Sequence, residues 1–181
     1  MRKEDYDYIV GSVTSIPNFP KRGVLFRDIT SLIEDAKAFN LAIDAMAEKY
    51  ANSGYVKIMA AEARGFIFGA ALAARIGAGI VMVRKPGKLP RETLSEEYTL
   101  EYGSSILQCH KDSIDTGDKV LIVDDLLATG GTALAMLSLA RCLRADVSEA
   151  CFAMCLKDLP GRRLLKEHSV EAFSLIDYSG D

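Results

Sequence analysis

The stretch Val120-Leu-Ile-Val-Asp-Asp-Leu-Leu-Ala-Thr-Gly-Gly-Thr132 constrains this chain more than any other. It opens on apolar, mostly β-branched residues, which fits a strand buried on both faces of a parallel sheet. Asp124 and Asp125 stand where that strand should end. A turn of small residues follows, Ala128-Thr129-Gly130-Gly131-Thr132, and then an unbroken helix-forming run from Ala133 to Leu143. A strand, a glycine turn and a helix start together make an anion site. Main-chain N–H groups point at the bound group, the helix dipole favours negative charge, and glycine admits a phosphate close to the backbone. Thr129 and Thr132 add hydroxyl donors. Two carboxylates cannot bind phosphate, so Asp124 and Asp125 should face sugar hydroxyls or a hydrated metal ion. A phosphate beside a polyol is a sugar phosphate. The competing reading is a plain strand-to-helix turn with two exposed aspartates. A P-loop ATPase is a further rival, but the chain carries no G-x-x-x-x-G-K-[ST], nor any G-x-G-x-x-G.

Within that pattern lies a resemblance. Apolar residues, an acidic pair and a T-G-G-T turn resemble the phosphoribosyl-pyrophosphate (PRPP) signature of type I phosphoribosyltransferases. The resemblance implies an α/β fold in one domain, residues 1–181, with a central, mainly parallel sheet flanked by helices. It also implies an N-terminal hood, about 1–30, and a flexible catalytic loop, about 84–103. Ala128 to Thr132 would hold the 5′-phosphate, and Asp124 and Asp125 the ribose.

Bulk properties agree with one domain. The 181 residues suffice for a substantial core, and 49% hydrophobic with 26% charged is ordinary for a globular chain. A net charge of −3 argues against nucleic acid as partner. No apolar run approaches the ~20 residues that span a bilayer, and the start, Met1 to Tyr8, is too polar for a secretory signal. The cysteines, Cys109, Cys142, Cys151 and Cys155, lack C-x-x-C spacing and read as reduced, mostly buried thiols of a cytoplasmic protein. His110 and His168 read as structural.

Tyr6 to Val13 has helical spacing. The next segment, Ile16 to Asp28, contains Pro17, Pro20 and Gly23 and cannot be regular helix, yet it carries Phe19, Leu25 and Phe26. Such an apolar loop either packs on the core or covers a flat ligand. F-P-x-x-G-V-x-F-R-D resembles the hood of adenine phosphoribosyltransferases. That implies purine recognition by the backbone at Leu25 and Arg27, with Phe26 stacked on the base. Arg27 and Asp28 could otherwise form a local ion pair. Asp35 to Asn52 is an amphipathic helix by the spacing of Phe39, Ile43, Met46 and Tyr50, with Gly54 as its cap.

Val56 to Ala60 is a strand, followed by Ala61-Glu-Ala-Arg-Gly-Phe66 and a helix from Gly69 to Ile76. This repeats the strand–turn–helix of the central motif, with Arg64 placed to clamp a phosphate. A surface ion pair between Arg64 and Glu62 is the alternative. The R-G-F turn resembles the family's pyrophosphate loop, in which aspartate or serine often precedes the arginine; Glu62-Ala63 departs from that. Ala78 to Val83 is a strand that runs into a basic loop bearing Arg84, Lys85, Lys88 and Arg91. It is a solvated linker or, since it leaves a strand end, part of a ligand site. The polar stretch from Glu92 to Glu101 extends it beyond the about 12–15 residues usual for a structureless loop. R-K-x-G-K-L-P and S-x-x-Y-x-L-E-Y-G resemble the family's flexible loop, with Arg91 and Glu96-Glu97 as departures. Ala150 to Leu156, Pro160 to Lys166 and Ala172 to Ile176 read as strand, helix and edge strand.

The resemblance implies transfer of the phosphoribosyl group from PRPP to N9 of adenine, giving AMP and pyrophosphate. Arg64, Arg84, Lys85 and Lys88 would neutralise the pyrophosphate, with Mg²⁺ carried by PRPP and no direct protein metal ligand. Arg64, Asp124 and Glu101 are the expected catalytic residues, Glu101 handling the proton on adenine. A homodimer is implied. The alternatives are another purine base (guanine, hypoxanthine or xanthine) or a non-catalytic PRPP sensor, which would need an added DNA-binding module.

Overall fold

The computed structural model describes residues 1–99 and 104–179. Its organising element is β7 (Val120–Leu127), buried along almost its whole length. Alternate side chains of a strand point to opposite faces, so a strand apolar throughout must be covered twice. Val120 and Ile122 enter one hydrophobic core, and Leu121 and Val123 enter the other. The first core is closed by α5 (Gly131–Cys142), through Met136, Leu137 and Ala140. The second is closed by α1 (Lys3–Gly11), α3 (Ala36–Tyr50) and α4 (Gly65–Ile76), through Ile9, Ile43, Met46, Phe68 and Leu72.

The main sheet is five-stranded and parallel, in the order β4 (Gly79–Val83), β3 (Lys57–Ala61), β7, β8 (Glu149–Leu156), β9 (Glu171–Tyr178). The chain runs outward from β3 to β4 and then returns to β7 on the other side of β3. Between β3 and β7 the progression reverses, and the loops leaving their carboxyl ends diverge to open a crevice. The α6 helix (Gly161–Glu167) joins β8 to β9, and the short α2 (Thr30–Glu34) precedes α3. Asp35 caps α3, its carboxylate accepting from the amides of Lys37 at 2.9 Å and Ala38 at 3.0 Å.

Several sequence expectations change here. Ile16 to Asp28 is not wholly irregular: β1 (Thr14–Pro17) and β2 (Leu25–Asp28) form an antiparallel pair, with Pro17 at a strand end where a missing N–H costs least. Gly54 does not cap α3; the helix ends at Tyr50 with Ala51 as its C-cap, whose N–H bonds Ala47 O, and Asn52 just after it takes a positive φ. The α4 helix starts at Gly65, a turn earlier than expected, so Arg64 is its N-cap. Part of the polar stretch after Glu92 is strand, because β5 (Thr93–Thr99) pairs antiparallel with β6 (Ser104–His110). Only one side of this ribbon is apolar, where Leu94 and Tyr98 pack on the core, so charged residues mask the period.

Candidate active site

The carboxyl ends of β3 and β7 meet in a cavity of about 350 Å³, walled by Glu62, Ala63, Arg64, Lys85, Tyr98, Asp124, Asp125 and the turn Ala128–Thr132. The strand β7 runs on through Leu126 and Leu127, past the acidic pair where the sequence placed its end; Asp124 and Asp125 are 9% and 6% exposed and are the buried charged residues among those described. The Asp125 amide donates to Asp124 Oδ1 at 2.9 Å. Arg64 Nε donates to Asp125, leaving the two terminal nitrogens of its guanidinium for another acceptor. The start of α4 packs directly on the pair: a Cβ on Gly65 would stand 2.5 Å from Asp124 Oδ1. Burial, then the neighbouring Asp125 charge, pushes the Asp124 carboxyl well above its ordinary range, against a smaller opposing effect of the Asp125 amide.

The turn from Ala128 to Thr132 leads directly into α5. Gly130 adopts φ +92°, which a side chain would resist, and no side chain caps α5. The first amides of α5 therefore face the cavity without an intrahelical acceptor. Gly161 backs this turn, donating its amide to Ala128 O at 3.0 Å.

The alternative ion pair of Arg64 with Glu62 is not formed. Glu62 instead accepts from Arg84 Nε at 2.9 Å and from the Lys85 amide at 2.6 Å. Burial opposes ionisation of Glu62, but the Lys85 amide and the Arg84 guanidinium outweigh it and hold the carboxyl below its ordinary range. The peptide bond between Glu62 and Ala63 is cis.

Of the residues expected at the site, Arg64, Lys85, Asp124, Asp125 and Ala128 to Thr132 share the cavity wall; Arg84 and Lys88 stand outside it. Arg84 Nη1 reaches Lys88 O at 3.3 Å. Leu25, Phe26 and Arg27 also stand outside it, on the half-buried β2. Phe26 meets Phe19 edge-on at 5.0 Å, and Arg27 lies over the Tyr178 ring at 4.5 Å while donating to Ser15 Oγ at 2.5 Å. Arg27 does not pair with Asp28, which accepts from Thr30 instead. Glu101 lies outside the described residues. Sequence reasoning missed Tyr98, Gly65, Gly161 and the role of Glu62. The R-G-F turn marked Gly65 by resemblance, but what excludes a side chain at Gly65 and Gly161 is an atom distant in sequence. Among the described residues, no group of three or more His, Cys, Asp or Glu side chains could hold a metal ion.

Comparison with known proteins shows which family the chain resembles. Residues 30–178 match the family model for the phosphoribosyl transferase domain. An adenine phosphoribosyltransferase of Shigella flexneri is 51% identical over 177 residues, covering 98% of this chain and 97% of the relative. Its counterpart in Escherichia coli K12 gives the same identity and coverage. The crystal structure of adenine phosphoribosyltransferase from Thermoanaerobacter pseudethanolicus superposes with a TM-score of 0.89 at 48% identity, over 96% of this chain and 99% of that one. The Saccharomyces cerevisiae enzyme, complexed with an imino-altritol bisphosphate and adenine, gives 0.88 at 36%, again over 96% and 99%. The chain belongs to the phosphoribosyl transferase family, among its adenine phosphoribosyltransferases.

Proposed function

We infer that the protein transfers the 5-phosphoribosyl group of PRPP to N9 of adenine, giving AMP and pyrophosphate in purine salvage. The observation that carries this is the crevice between β3 and β7, where an arginine turn and an anion-binding turn flank two buried carboxylates. The reaction breaks the bond from the anomeric carbon to pyrophosphate, forms the bond to N9, and releases the N9 proton. Positive charge builds on the ribose ring as the leaving group departs, so the protein must align both substrates, neutralise phosphate and exclude water.

Each task has a candidate in this chain. The amides and hydroxyls of Ala128 to Thr132 grip the 5′-phosphate. Asp124 and Asp125 hold the ribose hydroxyls, and the negative charge of the acidic pair stabilises the cationic ring. Arg64 offers its terminal nitrogens to pyrophosphate while its Nε stays on Asp125, linking the leaving group to the acidic pair. Lys85 lines the same wall, and Arg84 and Lys88 follow in the basic loop. Magnesium fits a site rich in substrate phosphate and poor in protein ligands, where it would neutralise charge on PRPP. Leu25, Phe26 and Arg27 take the adenine, and Glu101 handles its proton.

The deciding experiment is a spectrophotometric assay of adenine with PRPP and Mg²⁺, run beside guanine, hypoxanthine and xanthine. AMP formation with adenine alone is expected; turnover of a 6-oxopurine at a similar rate overturns the assignment of the base. Glu101→Gln should lower kcat by about 10²-fold or more with AMP affinity unchanged.

A homodimer is proposed on the exposed Ile67, Ile80 and Met82 of α4 and the edge strand β4, to be checked by light scattering. A cytoplasmic setting is proposed on four free thiols, three of them buried. Among the described residues, no helix is long and apolar enough to cross a membrane.

A further inference from the structure

Glu62 presents a puzzle of charge. It is a carboxylate in the wall of a cavity whose expected occupant is polyanionic. Left free there, it would repel a phosphate group. It is not free. One carboxylate oxygen takes Arg84 Nε at 2.9 Å and the other takes the Lys85 amide at 2.6 Å, so both oxygens are committed. The side chain is only 14% exposed. Its own amide donates to Val83 O at 2.9 Å. Three bonds from one residue thus join the turn after β3 to the end of β4.

The same point anchors the β5–β6 ribbon. Arg84 exchanges backbone hydrogen bonds with Gln108 of β6, 2.8 Å from Arg84 N to Gln108 O and 2.7 Å in return. Glu62 therefore holds the Arg84 side chain at the junction of three segments: the Arg64 turn, the root of the basic loop, and the ribbon. The residue next to that junction, Lys85, is the one basic-loop cation in the cavity wall among the described residues.

We propose that Glu62 is a positioning residue for the pyrophosphate half of the substrate, fixing Arg84 and the main chain at Lys85 so that Lys85 enters the cavity beside Arg64. Each carboxylate oxygen already accepts from the root of the basic loop, and in this role Glu62 acts through the two cations and not on the substrate itself. The inference rests on the assignment of PRPP as donor. It assigns Glu62 to the leaving group alone and separates it from the acidic pair, whose target is ribose.

That separation sets the test. AMP carries ribose, base and 5′-phosphate but no pyrophosphate. In Glu62→Gln, the shape is kept and the charge that orders Arg84 is lost. The KM for PRPP in the forward reaction, and for pyrophosphate in the reverse one, should each rise about tenfold, the usual scale of a charge-assisted hydrogen bond. The Kd of AMP by calorimetry and the KM of adenine should stay within about twofold, because neither involves the two cations. AMP binding by the variant also reports that it is folded. In an Arg84→Gln background the same change should add little, since the two residues act as a unit. An unchanged or lowered KM for PRPP overturns the proposal, as does an AMP Kd weakened in step with it. Should the wild-type protein itself neither bind AMP nor consume PRPP, the assignment of the donor fails first, and this proposal with it.

Discussion

Gly161, at the start of α6, donates its amide to Ala128 O at 3.0 Å, and a Cβ built on Gly161 would stand 2.4 Å from that same oxygen. The helix after β8 is thus pressed against the phosphate turn after β7. The contact is mutual, since a Cβ on Gly130 would lie 2.9 Å from Gly161 Cα. Two backbones this close fix the direction in which the turn's amides point.

Gly161→Ala should therefore displace the turn. A methyl group there would meet the Ala128 carbonyl oxygen at 2.4 Å and the Gly130 amide nitrogen at 3.1 Å, backbone atoms that cannot swing aside, and overpacking of this kind costs about 1–3 kcal/mol. AMP affinity is expected to fall about tenfold, since the amides that meet the phosphate move with the turn. Calorimetric titration with AMP, beside a thermal melt, measures both; a lower Tm with AMP affinity intact would show that α6 supports the core only.

Arg64 serves two partners at once in the proposed complex, Asp125 through Nε and phosphate through its terminal nitrogens. A lysine has one ammonium and cannot do both. In Arg64→Lys, kcat/KM for PRPP should drop by about 10²-fold, the scale of one preorganised donor. Steady-state kinetics with PRPP varied is the check, and a drop under threefold would remove Arg64 from the machinery.

Asp124 gives a pH signature. Its carboxyl is pushed up chiefly by burial and then by Asp125, so the folded protein keeps this proton to a higher pH than the unfolded chain, whose carboxyl titrates near ~3.9. Its contribution to stability is complete below that unfolded value and is lost as pH rises through the folded one. Asp124→Asn retains an acceptor for the Asp125 amide and abolishes the titration. Its Tm should exceed that of the wild type near neutrality, with the gap closing toward acid, while activity falls. Melts between pH 4 and 8 decide the matter; a gap that widens toward acid reverses the sign and rejects the account.

The β1–β2 pair is tied to the sheet edge where Arg27 lies over Tyr178 at 4.5 Å. A cation–π contact of this kind is worth about 0.5–2 kcal/mol. If β2 carries the base, Tyr178→Leu should raise the KM of adenine about threefold to tenfold with the KM of PRPP unchanged. Initial-rate kinetics with each substrate varied separates the two.

The order of strands and helices could be read largely from the sequence, because each depends on local periodicity. The apolar run from Val120 to Val123 demanded two covered faces, and the Gly130-Gly131 turn before a helix-forming run demanded a helix start in an anion-binding geometry. These are short-range consequences of side-chain shape and backbone freedom. The β5 strand was less legible, since Glu96 and Glu97 conceal a ribbon that is apolar on one side only.

What tertiary structure alone decided is which distant residues meet. Residue type offered Glu62 as a partner for Arg64, next in its own turn; packing gave Arg64 to Asp125 and Glu62 to Arg84. Neither pairing is encoded in spacing, because each joins the ends of different parallel strands, and the register between β3, β4 and β7 fixes who is adjacent. The same holds for Gly65 against Asp124 and Gly161 against Ala128. Residue identity chose the chemistry available to this chain, and the reversal of strand order between β3 and β7 brought that chemistry to one crevice.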